Sequence, residues 1–263
     1  MKRSKIAVFD SGVGGITLLH RLIQMMPREN YLYYADSANT PYGDRSSLEV
    51  EGLFEAAISA ISQQNLKAIV VACNTISMES INDMRSQCDI PIIEMQPAVK
   101  PPLMEHDPRK ILIIGTSLTL KRSKFERLIS NLQNEDVVEA KSMQELVDFA
   151  EEFEFDSPDV KRYLRQEFQS INWESYHSLV LGCTHFLYFK QLIEEFIPGD
   201  IHVIDGHGVT AQKVRSMIQQ EHTGKSHSLE CQLSGKEVAT EIIMPYLNLV
   251  DRSYSPLDYW KYK

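Results

Sequence analysis

No stretch of this chain is apolar for anything near the roughly 20 residues that a membrane-spanning helix needs. The N-terminus, Met1-Lys-Arg-Ser-Lys5, leads into an apolar run only from Ile6 to Phe9. That run is too short for the core of a secretory signal, so a cytoplasmic protein with no membrane partner is expected. Positive charge is scarce as well. Lys and Arg total 27 against 36 Asp and Glu, a net charge of −9. Phosphate backbones are gripped by clustered cations. The densest cluster here, Lys121, Arg122 and Lys124, reads as a solvated face near a helix start, and no nucleic-acid partner is expected. Cysteine is sparse: Cys73, Cys88, Cys183 and Cys231, none spaced as Cys-x-x-Cys. A cytosolic chain of this length needs no disulfides. One Cys-x-His pair, Cys183-Thr184-His185, is too few ligands for a zinc site, so no metal is expected. Gly12-Val-Gly14-Gly15 is not the dinucleotide fingerprint, and Asp10 ahead of it would repel a pyrophosphate. Its glycines are expected to allow a tight turn and close approach of the backbone to a ligand.

What is present is an ordinary globular composition. Of 263 residues, 43% are hydrophobic and 24% charged, enough for one large or two small domains. Short, continuous apolar runs predict strands over Ile6-Phe9, Tyr31-Ala35, Ala68-Ala72, Pro91-Met95, Ile111-Ile114, Leu179-Leu181 and His202-Ile204. Amphipathic stretches predict helices over Leu48-Gln63, Asp159-Ile171 and Phe189-Phe196, the first with Leu53, Ala56, Ala57 and Ala60 on its apolar stripe. Alternation of the two predicts βαβ units around a parallel sheet, and strands apolar on both faces agree with a sheet covered on both sides.

The chain also weakly repeats itself. Lys5-Ile-Ala-Val-Phe-Asp10-Ser11-Gly12 is similar to Lys110-Ile-Leu-Ile-Ile-Gly115-Thr116-Ser117, and Ala68-Ile-Val-Val-Ala-Cys73-Asn74-Thr75 to Ser178-Leu-Val-Leu-Gly-Cys183-Thr184-His185. Three prolines in Gln96-Pro-Ala-Val-Lys-Pro-Pro102 interrupt helix and sheet, as an interdomain crossover would. A second crossover is expected near Asp205-Gly-His-Gly208. The expected organisation is α/β: two pseudo-symmetric domains, each a short, mostly parallel sheet flanked by helices, with the active site in the cleft between them. The first comprises 1–97 plus 208–263 and carries Cys73. The second comprises 98–207 and carries Cys183.

Ligands of open parallel sheets bind beyond the carboxyl ends of the strands. Asp10-Ser11, Asp36-Ser37, Cys73-Asn74-Thr75, Thr116 and Cys183-Thr184-His185 all fall there. Each of the two cysteines ends an apolar run and opens a polar turn. A following helix N-terminus would lower the thiol pKa toward neutrality, and Asn74, Thr75 and Thr184 could add donors to a bound carboxylate. Cys88, at a helix end, and Cys231, in a short alternating run, read as ordinary packed thiols. A Cys183-His185 nucleophilic pair is the alternative chemistry, but it leaves Cys73 idle. The other histidines read as surface or packing residues.

Four motifs together resemble the glutamate racemases of bacterial cell-wall synthesis, within the aspartate/glutamate racemase family: Asp10-Ser-Gly-Val-Gly-Gly-Ile, Pro41-Tyr42-Gly43, Ala72-Cys73-Asn74-Thr75 and Leu181-Gly-Cys183-Thr184-His185. The resemblance runs from about Ile6 to Gly208. It implies interconversion of L- and D-glutamate without pyridoxal phosphate or any other cofactor, by proton transfer at Cα between two cysteines. Cys73 would act on the D-enantiomer, assisted by Asp10, and Cys183 on the L-enantiomer, assisted by His185. Ser11, Asn74, Thr75, Thr116 and Thr184 would hold the α-amino and α-carboxylate groups. Pro41, Tyr42 and Gly43 would bind the far carboxylate, with Glu151 and Thr119 behind. The resemblance further implies a homodimer and a role in peptidoglycan synthesis. A racemase for aspartate or another acidic amino acid is the alternative. The chain departs from the family pattern at Leu118, Arg122, Phe186-Leu187 and Gln96. Only nine residues precede Asp10, so an activator held by an N-terminal extension is not expected.

Overall fold

The computed structural model describes residues 4–76, 78–95, 97–105, 107–121, 135–218 and 228–253. Gln96, Arg122 and Lys124 lie outside the described residues. Lys121 is exposed and lies in the short helix Ser117–Lys121.

The strands form two sheets. The first contains β1 (Lys5–Asp10), β2 (Asn30–Ala35), β3 (Leu66–Val71) and β4 (Ile92–Glu94). The second contains β5 (Lys110–Gly115), β6 (Val138–Ser142), β7 (Tyr176–Leu181) and β8 (His202–Ile204). β9 (Leu229–Leu233) and β10 (Lys236–Val238) then join the first sheet. The orders are β10-β9-β2-β1-β3-β4 and β6-β5-β7-β8. Every pairing is parallel except β9 with β10. The internal repeat is therefore structural: β2-β1-β3-β4 and β6-β5-β7-β8 are the same arrangement. Both copies shift register at the same place, between Lys5 and Ile6 and between Lys110 and Ile111. The expectation of an α/β protein with two sheets holds.

Apart from half-buried Lys5, every residue of β1, β2 and β7 is buried. Apolar side chains pack on both faces of the first sheet, around Val8, Leu22 and Tyr33 on one and Phe9, Phe54 and Val71 on the other. A third core joins the second sheet to Leu146, Leu164 and Phe186. Val13 and Tyr246 touch the cores of both sheets and tie them together.

Helix Ser47–Ser62 starts at a capping box in which Ser46 and Glu49 satisfy each other's backbone N–H groups. Its buried stripe is Val50, Phe54, Ala57, Ile58 and Ile61. Ala56 and Ala60 are exposed, contrary to the stripe expected from sequence. The larger Phe and Ile side chains gain more from burial than alanine does, and they set the rotation. Helix Pro158–Phe168 begins with Pro158 after the Ser157 cap. After β8, helix His207–Met217 packs against helix Ile16–Met25 beside the first sheet.

Candidate active site

Equivalent strands deliver the two cysteines. Cys73 follows β3 and Cys183 follows β7, both buried. They line one small cavity of about 10 Å³ between the sheets. That is room for about one water molecule. Ser11, Asn74 and Thr75 line it from the first sheet's loops, with Thr116, Thr184 and His185 from the second sheet's. Tyr42, Gly43 and Val147 close its edge. A larger hollow of about 610 Å³, beside Lys190, Ile204 and Gly208, contains neither cysteine.

Ser11 Oγ lies 3.6 Å from Cys73 Sγ. His185 Nδ1 lies 3.6 Å from Cys183 Sγ. Behind the imidazole, His185 Nε2 meets Glu151 Oε1 at 2.7 Å, and the same oxygen accepts the Val13 N–H at 2.8 Å. Thr116, Thr119 and Thr75 form a buried hydroxyl triangle with edges of 2.7, 3.1 and 3.3 Å. Thr119 thus reaches the cavity only through its two partners. Asp10 Oδ2 accepts the Gly15 N–H at 2.6 Å and the Thr184 hydroxyl at 3.4 Å. Its other oxygen is buried without a hydrogen-bond partner among the described residues, as are both polar atoms of the Asn74 amide.

Burial dominates the electrostatics. Full burial, reinforced by the Asp10 carboxylate, pushes the Cys73 thiol up to about 12, although Ser11 and the Thr75 N–H pull the other way. This corrects the expectation of a thiol lowered toward neutrality. The helix after Cys73 begins only at Met78, too far along for its terminus to offset desolvation. Burial likewise raises the Asp10 carboxyl, with His185 opposing. Burial alone would lower His185, but its hydrogen bonds to Cys183 and Glu151 outweigh that and hold it well above its ordinary value. Glu151 is lowered: burial raises it, and the bond and charge of His185 overcome the burial. Buried His185 and partly buried Glu151 thus form an imidazolium–carboxylate pair next to Cys183.

Other sequence expectations change in detail. Asp10 makes no hydrogen bond to Cys73 and instead reaches across to Thr184. The Tyr42 hydroxyl donates to Asp36 at 2.7 Å, and Tyr42 and Gly43 both line the cavity. Pro41 lies outside the cavity lining, just before Tyr42. The Gly12-Gly15 turn is packed against protein, not open to a ligand. A Cβ on Gly12 would overlap Glu151, and one on Gly14 would overlap Thr184 and His185. Val147 was missed by sequence reasoning, as was the chain Asp205–His207–Thr17. There His207 Nδ1 lies 3.1 Å from Asp205 and Nε2 lies 2.7 Å from the Thr17 hydroxyl, which donates to Gly14 O. Nothing in an isolated His207 or Thr17 marks either as part of such a chain.

A profile of the Asp/Glu/hydantoin racemases matches residues 21–214. The chain belongs to that family. It is accordingly an isomerase acting on amino acids. Among curated members, it is 40% identical to a glutamate racemase of Halothermothrix orenii over 82% of this chain and 85% of that one. It is 37% identical to glutamate racemase 2 of Bacillus subtilis over 94% and 95%. Among solved structures, the Escherichia coli glutamate racemase in complex with L-glutamate and the activator UDP-MurNAc-Ala superposes with a TM-score of 0.77 at 26% identity. That match covers 94% of this chain and 95% of that one.

Proposed function

We propose that the protein racemises glutamate by a two-thiol mechanism, supplying D-glutamate for peptidoglycan in the cytoplasm. The single observation that carries this reading is that Cys73 and Cys183 meet at one cavity from equivalent strands of two sheets. Inversion at Cα needs a base on one face and an acid on the other. In the L-to-D direction, Cys183 as thiolate takes the Cα proton, leaving the electron pair on Cα. The Cys73 thiol then delivers its own proton to the opposite face. The reverse direction exchanges the roles, and no cofactor is required to balance the step.

Each thiol's surroundings suit that division. The raised Cys73 thiol is a proton carrier in the resting site. An imidazolium 3.6 Å from Cys183 Sγ stabilises negative charge on that sulfur. Asn74, whose amide atoms have no hydrogen-bond partner among the described residues, and the Ser11, Thr75, Thr116 and Thr184 hydroxyls supply donors and acceptors for the α-amino and α-carboxylate groups. The Tyr42-Gly43 backbone receives the far carboxylate. Room for one water cannot hold glutamate, so the sheets part to admit substrate. The hinges proposed are the chain crossings at 97–98 and 207–208. A homodimer is proposed for the solution state.

Incubation with L-glutamate or L-aspartate, followed by separation of enantiomers, tests the substrate. D-glutamate is expected to form, and D-aspartate as sole product would move the reading to the aspartate alternative. Cys73→Ser and Cys183→Ser should each lower racemisation by about 10²–10⁴-fold or more, the usual worth of a positioned acid or base. Either variant should still eliminate a good β-leaving group from the enantiomer its remaining thiol faces. Full racemisation by either variant would rule out the two-thiol scheme.

A further inference from the structure

Helix Glu145–Glu151 turns one stripe of residues toward the cleft. Glu151 meets His185 there, and Val147 lines the cavity. Gln144, the residue at the N-cap position, lies one turn before Val147 on the same side, since positions three apart share a helix face. Its side chain reaches across to the other half of the cleft. A Cβ built on Gly43 would overlap Gln144 Oε1 and fall 2.9 Å from its Nε2. Both amide atoms are sealed from solvent, and neither has a hydrogen-bond partner among the described residues. A buried amide with nothing to bond is costly. The amide is therefore a buried polar group packed against Gly43, which with Tyr42 borders the cavity.

We propose that Gln144 is a specificity-determining residue: its side-chain amide donates to the far carboxylate of the bound amino acid from the second sheet's side of the cleft, opposite the Tyr42-Gly43 backbone. This inference rests on the glutamate reading above and assigns the far carboxylate a partner that no motif contains. Selection by length follows. A carboxylate on a side chain one carbon shorter does not reach the amide, so closing on it leaves the amide unpaired. Closing on glutamate satisfies it.

The test is Gln144→Met, close in shape but apolar, compared with Gln144→Glu. In the Met variant, KM for glutamate should rise about 10- to 100-fold, the worth of one hydrogen bond to a charged group, while kcat changes much less. The ratio of kcat/KM for glutamate to that for aspartate should fall by a similar factor, which a purely structural role would not produce. The ligand-free Met variant should melt at or above the wild-type temperature, because two unpaired polar atoms are gone. Gln144→Glu should bind glutamate more weakly still, since it sets one carboxylate against another. If Met at this position prevents folding, Gln144→Leu and Gln144→Ala provide the same comparison. A glutamate KM within about twofold of wild type in a folded Met, Leu or Ala variant, or an unchanged glutamate-to-aspartate ratio, overturns the assignment. Wild-type protein that fails to racemise glutamate at all overturns the underlying reading instead, and is seen before any variant is made.

Discussion

Glu151 Oε1 stands 2.7 Å from His185 Nε2, with the imidazole buried and the carboxylate partly buried, and the pair sets the charge beside Cys183. Glu151→Gln keeps the shape and removes the charge. His185 should then lose the part of its upward shift that Glu151 supplies and keep the part from Cys183, and racemisation should fall by about 10- to 100-fold, as when the orienting partner of a working histidine is lost. The measurement is the pH–rate profile, in which the limb assigned to His185 should move to lower pH.

The same pair makes a signed prediction about stability. His185 is raised in the folded state, so its contribution is complete below the unfolded value of about 6.5 and is lost as pH rises through the folded pKa. Glu151 is lowered, so its contribution is complete above its unfolded value of about 4.3 and is lost as pH falls through the folded pKa. Between those two unfolded values both contributions are present. Thermal melts across pH should show Glu151→Gln losing most, relative to wild type, within that window. A wild-type-minus-variant difference that is flat with pH would count against a charged pair.

Gly14 lies where the first sheet's turn meets the second sheet's cysteine loop. Gly14→Ala would drive a Cβ into Thr184 and His185. Overpacking of this kind costs about 1–3 kcal/mol. A shift of about 1 Å at the reacting groups costs about 10²-fold in rate, so activity should fall far more than stability. Gly52→Ala is the control. Nothing lies within 4 Å of the added Cβ, and Gly52 sits exposed in a helix interior. There the change should stabilise by about 0.5–1 kcal/mol and leave activity as it was. Calorimetry and initial rates on the two variants separate these outcomes.

Much of this was legible in the chain, for definable reasons. β1, β3, β5 and β7 each contain a short unbroken apolar run, such as Ile6-Phe9 and Leu179-Leu181, because both of their faces are covered. β6 was not legible: Val138-Glu-Ala-Lys-Ser142 is a mostly exposed edge strand whose sequence carries no apolar signal. β9 and β10 were missed because Leu229-Glu-Cys-Gln-Leu233 owes its place to pairing with β2, a contact nearly 200 residues away in sequence. At the site, the cysteine loops stand out because polar residues follow apolar strands abruptly. Gln144 and Val147 do not, since only the angle at which their helix meets the cleft brings them there. The Cys73 pKa was misjudged for a related reason: local sequence shows the turn after the strand but not how completely the other sheet buries it.

Asp10 is a second buried carboxyl, raised chiefly by desolvation. Its sign is opposite to that of Glu151. Folding favours its protonated form, so stability declines as pH rises from the unfolded value of about 3.9 through the folded pKa, and the cost persists above it. Asp10→Asn removes that cost while keeping an oxygen to accept the Gly15 N–H. The variant should melt at or above the wild-type temperature at pH 8 and lose about 10²-fold in racemisation, within the range for a group that assists proton transfer. A marked drop in melting temperature would show that the carboxylate stabilises the fold.

The sharpest measurement follows Cα isotope during the first few per cent of reaction in deuterated water. Two thiols on opposite faces require that D-glutamate carry solvent deuterium from its first appearance while the remaining L-glutamate keeps its protium. Deuterium entering recovered L-glutamate as fast as D-glutamate forms would mean that one group serves both faces, and the two-cysteine account would be wrong.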